Sequence, residues 1–106
     1  MSEQPKPSEA FDDAALVVGY FSAPDCGVCK TLRPKVEEIL AENYPEAAFR
    51  YVNVENEPTL AATHNVFAVP TIILFAEGKE TKRFARHLSV GELTEALDRY
   101  YGMLYD

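Results

Sequence analysis

The chain is predicted to fold as an α/β domain: a central mixed β-sheet of four strands, or five if the N-terminal segment adds one, flanked by helices. Three observations point there. Ala15 to Ser22 is a near-continuous apolar, β-branched run, the pattern of a strand covered on both faces and central in its sheet. From Cys26 to about Asn43 the apolar residues Val28, Leu32, Val36, Ile39 and Leu40 recur every three or four positions, which places them on one helical face. Ala47 to Val54 then reads as a second strand, and strand, helix, strand is a right-handed βαβ unit with parallel strands.

In chain order, residues 1–7 are polar with two prolines and are expected to be a disordered lead-in, leaving 8–106 as a single domain. Ser8 to Asp13 reads as one short helical turn, with Ser8 as cap and Phe11 as its apolar anchor. Pro34 falls inside the long helix, where it removes one backbone bond and is expected to kink the axis or divide it in two. Tyr44-Pro45-Glu46 ends that helix. Beyond the second strand, Glu55 to Pro58 turns the chain into a short helix over Thr59 to His64, with Pro58 at a tolerated first-turn position and Asn65 as a left-handed stop. Val69 to Ala76 is a third strand and Glu77-Gly78 a tight turn; Glu80 to Arg86 is the antiparallel partner, and the charges from Lys79 to Arg83 read as a solvated hairpin. Ser89 to Glu92 has the form of a capping box, and Leu93, Ala96, Leu97, Tyr100 and Leu104 continue at helical spacing, with Gly102 as the expected end cap.

A chain of 106 residues buries on the order of two thirds of its unfolded surface without covalent staples. Ten Lys and Arg against seventeen Asp and Glu leave a net charge of −7, which argues against a general affinity for nucleic acid or anionic membrane. The N-terminus lacks the basic start and apolar core of a signal peptide, and the longest apolar run, Ala14 to Phe21, is too short to span a bilayer. A cytoplasmic monomer is expected. In that compartment a Cys-x-x-Cys pair is more often catalytic or metal-binding than structural.

That pair is Cys26 and Cys29, in the stretch Ala23-Pro24-Asp25-Cys26-Gly27-Val28-Cys29-Lys30, where the first strand pattern gives way to the helical one. A helix leaves its first N–H groups unpaired and, with the macrodipole, favours an anion there. A thiol so placed drops from a pKa of about 8.5 to roughly 3.5–7.5, and a useful fraction is nucleophilic thiolate at neutral pH. Cys29, one turn on, faces the same way and is able to close a disulfide with Cys26. The loop between them is too small for a disulfide to constrain the unfolded chain much, which favours redox use over a structural staple. Structural zinc is usually four-coordinate, and the only histidines, His64 and His87, lie on different elements without ligand spacing, so no metal or cofactor is expected. Asp25 is the only carboxylate adjacent to the dithiol in sequence. It is placed to cap the helix with donors that the Cys26 thiolate also uses, and its charge opposes thiolate formation, unless it acts instead mainly as the proton acceptor for Cys29.

With Cys26-Gly27-Val28-Cys29-Lys30, Pro34 in the following helix, Asn53-Val54-Glu55 through Pro58, Val69-Pro70-Thr71 before the apolar strand, and Leu88 to Leu93 opening the last helix, the chain resembles the thioredoxin family over roughly residues 14–101. The resemblance implies a thioredoxin fold and a thiol-disulfide oxidoreductase that reduces protein disulfides through the Cys26/Cys29 dithiol and a mixed-disulfide intermediate. It implies disulfide-containing client proteins and an electron donor such as a thioredoxin reductase as partners. It also implies a cis bond before Pro70, which faces the dithiol and leaves the Val69 backbone free to pair with a bound peptide. Five positions depart from the family's pattern. Asp25 replaces a tryptophan, Val28 a proline, Tyr20 a buried acid, Tyr51 the lysine paired with that acid, and Arg86 a glycine lining the peptide groove. Tyr20 and Tyr51 are read as packing residues, because a phenol of pKa about 10 is a sluggish acid near neutrality. The rival reading from another class is a non-enzymatic binding module or redox sensor that uses the same cysteines.

Overall fold

Burial on both faces identifies the middle of the sheet. The computed structural model describes residue 11 and residues 14–85 and 89–105. Within it, β1 (Leu16–Ser22) is buried at all seven positions. The sheet order is β2-β1-β3-β4, with β2 (Ala48–Asn53) parallel to β1, β3 (Thr71–Ala76) antiparallel to β1, and β4 (Lys79–Ala85) antiparallel to β3. Among the described residues three α-helices accompany the sheet: α1 (Gly27–Asn43), α2 (Pro58–Thr63) and α3 (Val90–Tyr105). None of the described helices is long and apolar enough to cross a membrane.

Successive side chains of a strand point to opposite faces, so the sheet separates two cores. Leu16, Val18 and Tyr20 of β1 join Ile72 and Leu74 of β3, Val36 and Leu40 of α1, and Leu93 and Leu97 of α3. Val17, Phe21, Ile73 and Phe75 join Phe11 and Ala61 on the other side. Phe11 is thus the apolar anchor expected of it, fully buried and stacked on Phe75 with ring centroids 4.1 Å apart. The rest of the expected Ser8–Asp13 turn, the 1–7 lead-in and any fifth strand from that segment lie outside the described residues.

The punctuation residues behave as their chemistry dictates. Pro58 opens α2, Asn65 stops the chain after it at φ 56°, and Glu77 and Gly78 take φ 51° and 83° in the hairpin turn. Three expectations change. The long helix is one α1 running through Pro34, which excludes a division into two shorter helices; Pro34 and Lys30 are both exposed, so the carbonyl freed by the missing N–H faces water. Gly102 lies inside α3, which continues to Tyr105 because that residue's hydroxyl accepts from the Leu16 N–H at 2.9 Å and donates to the Glu46 carbonyl at 3.2 Å. Arg83 is not simply solvated. It donates to the carbonyls of Asn65 at 2.9 Å and His64, tying β4 to the end of α2.

Tyr44 closes α1 and ties it to α3. Its buried hydroxyl donates to Asp98 Oδ1, with the Thr94 carbonyl 3.3 Å away. Burial, and then the bond to Asp98 and its charge, push the phenol from 10.0 up to about 12. A folded-state pKa raised in this way stabilises fully below the ordinary value, and the contribution is lost as pH rises through the raised one. The stability difference between the wild type and Tyr44→Phe should therefore hold steady to about pH 10 and shrink from there towards pH 12, as read from urea midpoints.

Gly19 of β1 is required by the stacked pair above it. A Cβ there would stand 3.0 Å from ring carbons of both Phe11 and Phe75 and 3.3 Å from Phe21. Forcing a methyl group into such a site costs about 1–3 kcal/mol, against a gain of about 0.4–1 kcal/mol from the stiffer unfolded chain. Gly19→Ala should lose about 1–2 kcal/mol in urea unfolding; stability at or above wild type would show that the rings yield.

Candidate active site

From the end of β1 the chain turns tightly, the Cys26 N–H donating to the Ala23 carbonyl at 3.1 Å. Cys26 occupies the N-cap of α1 with extended backbone (φ −86°, ψ 101°), and its Sγ accepts from the Cys29 N–H at 3.2 Å. An oxygen of Ser, Thr, Asp or Asn usually takes this place. Here the sulfur takes it, and Asp25, which the sequence offers as a cap, stands exposed one residue upstream. The first turn of α1 carries no acidic residue, so no carboxylate of that turn opposes an anion on Cys26.

The two cysteines are joined in a disulfide, with Cα atoms 5.3 Å apart, and they are unequal. Cys29 is 1% exposed, whereas Cys26 is only partly buried. Gly27 and Val28 between them face solvent.

Beneath the dithiol lies Tyr20, fully buried, whose hydroxyl donates to the Cys29 carbonyl at 2.7 Å. Burial first, and then the neighbouring Tyr51, push its phenol up to about 12, with Arg33 pulling the other way. A phenol held protonated so far above neutrality is an anchor for the first turn of α1 and not a base. The Tyr20 ring also packs with Tyr51, centroids 6.2 Å apart, and the Arg33 guanidinium lies over the Tyr51 ring, 4.0 Å from its centroid. Glu37 holds that guanidinium at 2.8 Å.

Antiparallel pairing of Phe21 with Thr71 sets Val69-Pro70 level with the end of β1, from which the dithiol loop departs. The Val69–Pro70 peptide bond is cis. Beside it Val54, Val66, Phe67, Ala68 and Val69 line a cleft of about 230 Å³, and the Val54 N–H donates to the Ser22 carbonyl at 2.9 Å. Phe67 is 86% exposed and Val28 66%. Reasoning from the sequence singled out neither Phe67 nor Arg33. Their signals were an aromatic in the short loop between α2 and β3, and an Arg–Glu pair at i, i+4. Arg86 and His87 lie outside the described residues. His64 packs against Phe11 and Phe75 at 5.1 and 5.3 Å, on the sheet face opposite the core that holds Cys29.

Comparison with known proteins agrees with this geometry. The thioredoxin family profile matches residues 8–99. Thioredoxin-1 of Saccharomyces cerevisiae is 38% identical over 87 residues, covering 78% of this chain and 84% of that protein. Among solved structures, a mutant thioredoxin of Halobacterium salinarum superposes with a TM-score of 0.80 at 27% identity, over 93% of this chain and 86% of its own. The thioredoxin of Fasciola hepatica does so at 0.75 and 35% identity, over 84% of each chain. The four-stranded mixed sheet with its flanking helices is the thioredoxin fold, and with the Cys26–Cys29 disulfide at its helix start the chain belongs to the thioredoxin family, as a thiol-disulfide oxidoreductase.

Proposed function

We propose that the chain, acting as one monomeric domain over residues 8–106 in a reducing compartment such as the cytoplasm, reduces disulfides in client proteins. The observation that carries the order of events is the unequal exposure of the two sulfurs. The Cys26 thiolate, stabilised by the N–H groups at the start of α1, attacks one sulfur of the client disulfide. A Cys26–client mixed disulfide forms and the other client sulfur leaves as thiolate, taking a proton from solvent. Cys29, held one turn inside, then attacks Cys26 Sγ. The second client thiolate is released, and the chain is left with the Cys26–Cys29 disulfide. Two electrons have passed to the client, and an electron donor of the thioredoxin reductase class returns them.

Recognition falls to the surface around the dithiol. An extended client segment pairs with the Val69 backbone beside Pro70, and an apolar client side chain enters the cleft between Val54 and Phe67. Gly27 and Val28 present a small, smooth rim. Asp25 stands where the family has an apolar residue, and Arg86 is by sequence the counterpart of the family's groove glycine, so clients carrying charge complementary to these are preferred over others. The exposed Asp25 also adds negative charge next to Cys26. This keeps the thiolate less favoured than the helix start alone would make it, and the dithiol correspondingly reducing.

Two measurements test this reading. Cys29→Ser should accumulate client adducts on Cys26, with insulin-disulfide reduction lost; equal trapping by Cys26→Ser through Cys29 would reverse the order. Asp25→Asn should lower the Cys26 pKa and speed its alkylation by iodoacetamide near neutral pH by roughly twofold, a modest gain because solvent screens an exposed charge. An unchanged alkylation profile would remove Asp25 from the account of the potential.

A further inference from the structure

The resolving step requires Cys29 to lose a proton, and among the described residues the groups lining its cleft do not include the base that such a step ordinarily uses. Cys29 opens on a cleft of about 80 Å³ whose walls include Pro24, Lys30, Arg33 and Tyr51 and no carboxylate. The cleft is large enough for solvent water. Tyr20 is committed, its hydroxyl donated to the Cys29 carbonyl at 2.7 Å. Two cations remain at the rim. Lys30 adjoins Cys29 in sequence, and Arg33 is held in place twice, 4.0 Å over the Tyr51 ring and 2.8 Å from Glu37 Oε1. The stack of Arg33 on Tyr51 and Tyr51 on Tyr20 thus runs from the surface to the residue that fixes the Cys29 backbone.

We propose that Arg33 is the positioning residue of the resolving step: its guanidinium, locked over Tyr51 at the mouth of the cleft, stabilises the Cys29 thiolate electrostatically, so that Cys29 ionises to solvent water without a carboxylate base. The proton leaves through the cleft. The Cys29 electron pair then forms the bond to Cys26 Sγ, and the client sulfur departs with the electrons of the broken mixed disulfide. In the reverse half of the cycle the same cation stabilises Cys29 as the leaving thiolate when a reductant attacks Cys26. An opposite charge close by favours the ionised form of a titrating group, and a partly enclosed cleft screens that effect less than open water does. The other titratable groups lining the cleft are Lys30 on α1 and Tyr51 on β2; outside the lining, Glu37 pairs with Arg33, and Tyr20 on β1 packs on Tyr51, while Val69 and Pro70 before β3 bring nothing that titrates and Asp25 in the connecting loop faces solvent.

The inference rests on Cys29 being the resolving thiol, and its test separates the two. In Cys26→Ser protein Cys29 is the only thiol, and its ionisation is followed by the Cys ¹³Cβ shift against pH whatever the order of attack. Adding Arg33→Gln should raise that midpoint by about one unit, adding Arg33→Lys should hold it near the parent value, and adding Glu37→Gln, which removes the counter-charge, should lower it. In otherwise wild-type reduced protein mixed with a chromogenic aromatic disulfide, the second burst of released thiol reports Cys29. Arg33→Gln should slow that burst about threefold at neutral pH, less than the lost thiolate fraction because the remaining thiolate is more nucleophilic. The first burst, from Cys26, should keep its rate. A Cys29 midpoint that Arg33→Gln leaves in place, or that Arg33→Gln and Glu37→Gln move in the same direction, would overturn the proposal while leaving the order of the cysteines standing.

Discussion

The constraint on which the rest of the structure depends is that β1 is buried on both faces. A strand with all seven residues inside has no solvent face to slip towards, and a one-residue shift would exchange its two side-chain sets between the cores. Its register is therefore pinned, and so is the point at which it releases the chain into the dithiol loop. Ser22 pairs with Asn53 on one side and Phe21 with Thr71 on the other, so the end of β1 is also where the Val54 and Val69-Pro70 segments arrive. The site is the rim of a well-specified sheet, which gives the two sulfurs a fixed frame to work against.

The link from that frame to the chemistry is a single buried polar contact. Tyr20 crosses from β1 to the carbonyl of Cys29, satisfying its hydroxyl and fixing the first turn of α1. A neutral phenol with its hydrogen bond made is inexpensive to bury, whereas an acid and a lysine in the same place would each have to be stripped of water. The economy has a chemical consequence. Neutral phenols transfer no protons near neutrality, so the field acting on the cysteines must come from groups that keep contact with water. Those at hand are the start of α1, whose N-cap is Cys26, the exposed Asp25 beside it, and Lys30 and Arg33, which line the cleft with Cys29.

The same logic explains the asymmetry of the two sheet faces. One core holds α1, α3 and the dithiol's inner sulfur; the other is built on an aromatic cluster around Phe11, Phe75 and Phe21, for which Gly19 leaves the space. The aromatic cluster of the second face anchors the chain away from the inner sulfur, while Val54 and Val66 of the same core reach the cleft beside Pro70. His64 belongs to that face, which removes it from acid–base work on the cysteines. Arg83 reinforces it by holding the end of α2 against the hairpin.

By itself the sequence determined what depends on near neighbours along the chain. The order of strands and helices, the placement of a dithiol at a helix start, the turn at Glu77-Gly78, the left-handed Asn65 and the anchoring Phe11 were all legible, because period, β-branching and backbone restrictions act over a few residues. Tertiary structure alone decided what depends on residues far apart in the chain. Gly102 became helix interior because Tyr105 finds partners at Leu16 and Glu46. Cys26 took the cap that Asp25 was offered, since the turn onto Ala23 aims the sulfur, not the carboxylate, at the open N–H. Arg33 came to the cleft beside Cys29 only when β2 laid Tyr51 against it, and Phe67 came to line the cleft with Val54 and Val69 only when packing left its ring outside. In each case the deciding partner lies on another element, and its approach is set by the packing of the sheet rather than by any local preference.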